Sequence, residues 1–475
     1  METDVLVVGA GPTGLALACD LARRNVKVRI LDKNPEHPHG SRGKGLSPRT
    51  LEVLDDLGVI GEALASGVTH LPHRKYQGTQ VISEVDPEAG REPTAEIPYP
   101  VGLMIPQWRV ERILRDRLAE SGVEVERNTE VTGLNQDADG VTATVGASGD
   151  GIRAGYLAAC DGGRSTVRKL LGLKLRGETP DVQLMAVGDV EADGLSRDAW
   201  HQWFTGTGGI MLCPLPGTGS FQVQASHELD ENGDPLEPTR ARFQQTFDRV
   251  AGVPGVRLHN LTWRSTYRVQ VRMVDRLRSG RVLLAGDAAH VHPIAGGLGL
   301  NTGIQDAYNL GWKLGLVITG QATEGLLETY EQERLPIAGW LLSITSEVLD
   351  LVLEAIKRRG GGVDAGAARE LTQLGLNYPW SRLSRQETAR ADSLQAGDRM
   401  PDARLKDGTT LFDHLRGPHF TLLGPAVVEG ETSDLVKACT LEGADTLTLV
   451  RPDGYVGLIA EPTDLSAVRA YLKDL

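Results

Sequence analysis

The chain begins with a short apolar run, Val5 to Val8, that ends at Gly9. Four apolar residues closed by a glycine predict a strand buried on both faces, as in a parallel sheet. Small and apolar residues follow at Leu15 to Cys19, Leu21 and Ala22, predicting a helix. A second strand is predicted over Val26 to Leu31, closing on Asp32. Together they make a βαβ unit of the usual ~30 residues. Ser47-Pro48 opens the next helix, with a hydroxyl cap and a proline at the first helical position. Leu51, Leu54 and Leu57 share one face of it, and Gly58 ends it. Another helix follows Pro106, where Val110, Ile113, Leu114 and Leu118 recur at helical spacing. Strand-like segments alternate through Val123 to Val125 and Val141 to Val145.

The pattern changes between about 175 and 275. Leu184 to Val190, Gly209 to Leu215 and Ser220 to Ala225 are short β-like runs separated by Gly, Pro and Asp, which predict an antiparallel sheet. From Leu300 a long helical pattern runs through Leu314, and further helices are predicted to about 395, the last beginning near Ala367. Gly397-Asp398 with Pro401 marks a boundary. The remaining stretch alternates strand and helix patterns, as at Phe420 to Leu423 and Thr446 to Val450, and is long enough for a small α/β domain. No internal repeat or low-complexity tract interrupts the chain.

At 475 residues, two to three domains are expected. The net charge of −13 disfavours a nucleic-acid partner, because phosphate binding needs a basic surface. Met1-Glu2-Thr3-Asp4 shows no basic leader, and no run approaches ~18 uninterrupted apolar residues, so no membrane span is expected. Cys19, Cys160, Cys213 and Cys439 are scattered, form no CxxC and fit a reducing cytoplasm as small buried side chains.

Two glycine-rich stretches carry the chemistry. Gly9, Gly11 and Gly14 stand in GxGxxG spacing after a strand and before a helix, with Pro12 and Thr13 between them. Gly9 permits the turn, Gly11 lets a pyrophosphate approach the backbone, and Gly14 allows close helix–strand packing. The helix start adds roughly half a positive charge toward the phosphates. Asp32, with Lys33 beside it, is placed to accept hydrogen bonds from ribose hydroxyls. The second stretch, Leu283 to Gly286, leads to Asp287, a carboxylate suited to a ribityl hydroxyl. Pro293 and the loop Gly296 to Asn301 follow, including Gly299 and Leu300, and run into a helix. Such a loop lets a flat ring approach backbone N–H groups, and the helix N-terminus favours the charge of a reduced flavin. Both stretches, with Asp161-Gly162 between them, point to FAD as the tightly bound cofactor. His290 and His292 lack a third ligand for a metal, so none is expected.

These residues resemble the class A flavoprotein aromatic hydroxylases, the family around para-hydroxybenzoate hydroxylase and phenol hydroxylase. The resemblance is strongest to its actinomycete branch acting on polyketides and antibiotics. Gly9 to Gly14, Ser41 to Leu46 with Arg49 to Glu52, Asp161 to Ser165, Gly286 to His290 and Asn301 to Ala307 match in order. The resemblance implies an α/β protein with a Rossmann-like FAD-binding domain (1–75, 101–174 and 276–395). An antiparallel substrate domain (76–100 and 175–275) is inserted, and a thioredoxin-like domain without CxxC (396–475) follows. It implies Arg42 near the pyrophosphate, Gln107 at the ribityl chain and Val131 at the adenine. Asp161 belongs to a dual FAD and NADPH motif, Asp287 meets the ribityl chain, and the backbone of Leu300 and Asn301 meets the pyrimidine ring. The family usually carries a second proline where Ile294 stands and Gln where Leu298 stands.

The implied activity is monooxygenation: NADPH or NADH reduces FAD, O2 adds to form a flavin hydroperoxide, and oxygen passes to an aromatic carbon. Baeyer–Villiger insertion and a non-oxygenating flavin reductase or ligand-binding flavoprotein stay open as alternatives. No catalytic base stands out, and His70, His73 and Arg268 fit surface or packing roles. Trp203 and Met211, with Pro293, are candidate pocket walls for a sizeable aromatic substrate held mainly by shape. A monomer or homodimer is expected.

Overall fold

A computed structural model describes residues 2–37, 39–146, 149–178, 184–206, 208–268, 270–292, 297–357, 369–389, 394–425, 433–441 and 443–475. Strand Thr3–Val8 pairs in parallel on both sides, with Val28–Leu31 and Asp150–Ala159, and Val5, Leu6 and Val7 are fully buried. This is why its apolar run is unbroken: both faces are covered. The sheet runs in the order Arg278–Ser279, Val282–Leu284, Asp150–Ala159, Thr3–Val8, Val28–Leu31, Val125–Glu126, and the hairpin Val131–Gln136/Val141–Val145 extends it. Helices α1 (Pro12–Ala22), α2 (Pro48–Asp56), α3 (Ile60–Ser66), α4 (Gln107–Ala119) and α5 (Thr166–Leu170) belong to this half of the chain. Ser47 caps α2 through Thr50 N–H, and Pro48 takes the first helical turn, as its sequence predicts.

The second sheet has seven strands in the order Arg257–Arg268, Leu184–Asp193, Ser220–Ser226, Gly209–Pro214, Trp200–Phe204, His73–Gln77, Gln80–Val85. Its pairing is antiparallel except between Trp200–Phe204 and His73–Gln77. Strand pairing therefore starts at His73, slightly before the predicted boundary at 76. The strand-only reading of 175–275 also missed α6 (Arg240–Val250), which Thr239 caps. Phe243, Phe247 and Val250 line one helical face and pack on Trp203, Ile210, Leu212, Phe221 and Val223.

Helix α7 (Leu298–Ile318) is buried along most of its length and joins two cores. Ile304, Ala307 and Leu310 pack beneath the first sheet, while Trp312 and Leu316 pack on Phe420, Leu449, Leu458 and Tyr471. Helix α8 (Glu328–Lys357) follows, with Pro336 inside it. The helix predicted near Ala367 begins outside the described residues. From Arg369 to Thr372 there is one 3-10 turn, and Gln373 then takes a left-handed conformation (φ 58°), which ends any helix.

The C-terminal sheet runs Arg385–Gln386, Val456–Ala460, Leu447–Val450, Phe420–Gly424, Val436–Thr440, with α9 (Leu411–Leu415) and α10 (Leu465–Lys473). It thus draws in chain from before residue 396. Charged groups fasten it to the rest. Glu333, fully buried, accepts from Lys313 Nζ at 2.7 Å, Asn309 Nδ2 at 2.7 Å, Ser381 Oγ at 2.6 Å and both terminal nitrogens of Arg451 at 2.7 and 3.0 Å. Arg451 also pairs with Asp453 at 2.6 Å, and Asp453 accepts from Trp312 Nε1 at 3.0 Å.

Candidate cofactor and substrate site

The glycine loop after Thr3–Val8 is shaped by sterics at two positions. Gly9 has φ +103°, and a Cβ there would lie 2.4 Å from Cys160 O; a Cβ at Gly14 would lie 2.0 Å from Gly9 O. Gly11 is different, because a Cβ there would meet open space. It is also the N-cap of α1 with no side-chain cap, and Pro12 follows it, so the first N–H groups of the helix face outward unpaired by a cap. Asp32 accepts from Ala10 N–H at 2.9 Å and Asn34 N–H at 2.8 Å. Each carboxylate oxygen retains acceptor capacity beyond its one bond. Lys33 is exposed next to it. Arg127 Nη1 lies 3.7 Å from Asp32, and Thr129 N–H donates to Asp32 O, which brings the start of strand Val131–Gln136 beside the acid.

Asp161 caps α5: its Oδ2 accepts Thr166 N–H at 2.7 Å and Val167 N–H at 3.1 Å. Its Oδ1 is buried without a partner. Arg168 then ties two loops together, donating to Gly163 O at 2.9 Å and Ala288 O at 3.0 Å. Strand Val282–Leu284 leads into the turn Gly286–Ala288, where Asp287 stands exposed with no hydrogen-bond or ion-pair partner among the described residues. Gly286 and Gly303 both close on Thr13, where Cβ atoms would lie 2.6 and 2.4 Å from Oγ1. Thr13 thereby joins the first glycine loop to the second.

Two buried residues to which the sequence assigned no role, Asp306 and Arg334, meet His290 at the turn that carries Asp287. Asp306 Oδ2 accepts from Gly286 N–H at 3.0 Å and lies 2.7 Å from His290 Nε2, and its Oδ1 accepts from Arg334 Nε at 2.7 Å. Burial opposes the Asp306 charge, yet Arg334 and His290 hold its pKa below the usual value. His290 thus serves the turn through Nε2.

Helix α7 begins at Leu298 after Gly297 (φ 64°), again with no side-chain cap. Pro293, Ile294, Ala295 and Gly296 lie outside the described residues. A Cβ at Gly299 would lie 2.4 Å from the His292 ring, so that glycine admits the imidazole. Asn301 turns inward: Oδ1 accepts Ser47 N–H at 2.7 Å, and Nδ2 donates to Gly45 O at 3.1 Å and Gly297 O at 2.9 Å. Only its backbone remains for a ligand. Arg42 is exposed. Gly43 N–H donates to Gln107 Oε1 at 3.1 Å, and a Cβ on Gly43 would meet Leu300 at 3.2 Å. Gln107 Nε2 donates to Glu111 at 2.8 Å. Burial pushes the Glu111 carboxyl up to about 7, and the Gln107 bond only partly offsets it.

Residues paired directly across strands share a face. Met211 stands opposite Gln202 and Gln224, while Gln222 stands opposite Asp189 and Cys213. This face turns to the 41–46 loop, since Gln222 Nε2 donates to Ser41 O, Lys44 Nζ donates to Gln222 Oε1 and Asp189 accepts Ser41 N–H. Trp203 pairs with Ile210 and points the other way. Its ring stacks on Tyr76, meets Phe247 edge-on and donates to Gly78 O at 3.0 Å. Trp203 is therefore a core residue under α6 and not a wall shared with Met211; strand alternation separates them. His73 packs edge-on against Trp200, and His70 pairs with Asp86 at the surface. The Arg268 side chain lies outside the described set.

A family model described as FAD binding domain matches residues 2–344. A flavin-dependent monooxygenase of Mycobacteroides abscessus is 44% identical over 473 residues, spanning 96% of this chain and 97% of its own. The OxyS anhydrotetracycline hydroxylase from Streptomyces rimosus is similar in structure, with TM-score 0.79, 30% identity and coverage of 100% and 99% of the two chains. A ternary complex of aklavinone-11 hydroxylase with FAD and aklavinone superposes with TM-score 0.85 at 26% identity, covering 100% of this chain and 98% of that one. The parallel sheet, its glycine loop and the contacts of Thr13 with the acidic turn at Gly286 and with α7 at Gly303 accord with that FAD-binding match. The chain belongs to the FAD-binding family of class A flavin monooxygenases, and it is an FAD-dependent aromatic hydroxylase that consumes O2 and a reductant.

Proposed function

We propose that this enzyme hydroxylates a multi-ring, polyketide-type phenol with NADPH or NADH as the reductant. The observation that carries the reading is the pairing of two surfaces. On one side lies the uncapped start of α7 with Leu300 against Gly43; on the other, the buried sheet face bearing Met211, Gln202, Gln222 and Gln224. The 41–46 loop bridges them. Relatives named for anhydrotetracycline and aklavinone support the substrate class.

The residues fit FAD on this chain's own geometry. The open space over Gly11, the free carboxylate of Asp287 and the unpartnered Oδ1 of Asp161 await a ligand rich in hydroxyls and phosphates. Gly9 to Gly14 with Arg42 would hold the pyrophosphate, Asp32 and Lys33 the ribose, and Val131 the adenine. Gln107 and Asp287 would hold the ribityl chain, and the backbone of Gly299, Leu300 and Asn301 the pyrimidine ring. The chemistry bound FAD supplies is two-electron reduction by the nicotinamide followed by O2 activation. The protein's share is to orient the substrate ring and exclude water, which otherwise diverts the reaction to hydrogen peroxide. The chain divides, on this reading, into a cofactor unit, an inserted substrate unit and a thioredoxin-like C-terminal unit without CxxC.

The test is stopped-flow reduction of the holoenzyme by NADPH with anhydrotetracycline, aklavinone or para-hydroxybenzoate present, followed by product analysis. Faster flavin reduction with a multi-ring phenol, and a product one oxygen heavier with an added hydroxyl, is the expected result. Coupled turnover of para-hydroxybenzoate alone, or ring expansion of the product, refutes the reading.

A further inference from the structure

We propose that Lys44 recognises the substrate by holding an ionised phenolic or enolic oxygen, and so fixes which edge of the ring system is presented for oxygenation. The proposal rests on the substrate class given above and names the residue that reads it.

Lys44 is fixed from both ends. Its neighbours face the cofactor side: Gly43 N–H is on Gln107, and Gly45 O accepts from Asn301 Nδ2. Its side chain runs the other way, to the buried sheet face. There Nζ donates to Gln222 Oε1 at 2.5 Å and stands 4.1 Å over the Trp200 ring. Gln222 is itself immobilised, since Oε1 also accepts Gln224 Nε2 at 2.8 Å and Nε2 donates to Ser41 O. Gln222 is 1% exposed and Gln224 7%, so this chain of amides lies out of water.

The ammonium has three donors, and Gln222 takes one. No carboxylate among the described residues forms an ion pair with it. Two titratable groups face it. Asp189 spends one oxygen on Ser41 N–H, and burial pushes its carboxyl up to about 6; Cys213 is a thiol that burial pushes up to about 11 and keeps neutral. Burial lowers the pKa of Lys44 itself, and a bound oxyanion would offset that loss. Lys44 is half-buried and has Asp189 near it without an ion-pair contact, so a negatively charged ligand atom that meets the ammonium directly offsets its partial loss of water. Trp200 adds an indole N–H that is buried without a partner. The ammonium suits an aryl or enol oxyanion, whose proton is lost to solvent on binding, and the indole N–H is a further donor on strand Trp200–Phe204. An ionised ring oxygen also enriches the ring for attack at the positions ortho and para to it. The proposal adds one charged contact to the pocket expected to hold its substrate mainly by shape.

The test uses holoenzyme of wild type, Lys44→Met and Lys44→Arg, each checked for full flavin content. The probes are 2-hydroxyanthraquinone and its methyl ether, 2-methoxyanthraquinone. Binding is followed by difference absorbance, in which the hydroxy probe's visible band reports its ionisation. Wild type is expected to bind the hydroxy probe as its anion about one pH unit below the free probe's midpoint. Lys44→Met should weaken that probe about 10- to 150-fold, the range for a hydrogen bond to a charged group, and abolish the shift. Lys44→Arg should keep it, and the ether should bind all three proteins alike. Equal binding of the hydroxy probe by wild type and Lys44→Met, equal loss of both probes, or a neutral bound probe overturns the role of Lys44 alone. Wild type that binds neither probe takes down the substrate class and this proposal with it.

Discussion

Replacing Asp287 with alanine separates cofactor binding from folding. The side chain is exposed and has no partner among the described residues. The turn that carries it is held by others: Gly286 N–H on Asp306 at 3.0 Å, Ala289 N–H on Gly286 O at 2.8 Å and Val274 N–H on Ala289 O at 2.8 Å. Removing the carboxylate therefore leaves every one of those bonds in place. The apoprotein should keep its stability within about 0.5 kcal/mol, the usual range for a surface change away from packing or networks. A hydrogen bond to a charged acceptor is worth about 1.5–3 kcal/mol, so FAD affinity should fall about 10- to 150-fold.

Two measurements read this together. Flavin fluorescence titration of the apoprotein gives Kd directly, and urea unfolding with and without FAD gives the linkage. At FAD concentrations about 100 times the wild-type Kd, the cofactor should stabilise wild type by about 2.7 kcal/mol. A variant with a hundredfold weaker Kd should gain only about 0.4 kcal/mol under the same conditions. An unchanged Kd refutes the assignment of Asp287 to the cofactor. An apoprotein destabilised by several kcal/mol refutes the claim that the residue has no structural task.

Asp189→Asn tests the buried sheet face through pH. The Asp189 carboxyl titrates at about 6 in the folded protein against 3.8 for an unperturbed aspartate, because burial disfavours its charge. Between those values the folded state binds more protons, so its stabilising share falls as pH rises and the cost persists above pH 6. The variant should thus exceed wild type by up to about 3 kcal/mol at about pH 8, with the gap closing as pH falls toward the ordinary aspartate range in urea titrations; a pH-independent gap contradicts this. Glu333→Gln leaves Lys313 and Arg451 buried against Asp453 alone. Breaking a buried pair in this way costs about 3–5 kcal/mol, and a loss under about 1 kcal/mol in urea unfolding shows that the cluster does not fasten the C-terminal sheet.

What was legible in the sequence was local. Val5 to Val8 followed by Gly9 and Gly14 announces a strand, a turn and a tightly packed helix, and each glycine's steric need lies within the loop or against the next strand. Ser47-Pro48 announces a helix start for the same reason. The polar groups that hold the site were not legible. Asp306 meets His290 and Arg334 across 16 and 28 positions, Gln222 meets Lys44 and Ser41 across 178 and 181, and Glu333 meets Arg451 across 118. Neither periodicity nor spacing marks such pairs, because burial and not sequence proximity selects them. The pairing of Trp203 with Met211 turned on one bit of register: adjacent residues on a strand face opposite ways, so Gln202 shares Met211's face toward the 41–46 loop and Trp203 lies under α6. Helix α6 was hidden by polar residues on its outer face amid glycine- and proline-rich strands.

The motif Arg49 to Glu52 shows how the C-terminal sheet bears on α2 and, through it, on α7. Arg49 donates to Asp453 O at 2.7 Å and to Glu52 at 2.7 Å, and Glu52 accepts from Arg399 at 2.9 Å. Its guanidinium also covers the Tyr455 ring at 4.9 Å. These residues therefore face the C-terminal sheet. Yet they sit on the first turns of α2, whose cap Ser47 gives its backbone N–H to Asn301 and its hydroxyl to Gln373 at 2.7 Å. Gln373 closes the arrangement, accepting from Gln305 at 2.8 Å and donating to Thr302 at 3.0 Å on α7. The start of α7 is thus positioned by α2 and by a left-handed residue in the connection to the C-terminal sheet. The C-terminal sheet thus bears on the start of α7 through Arg49 and α2, although its one cysteine, Cys439, stands in no CxxC.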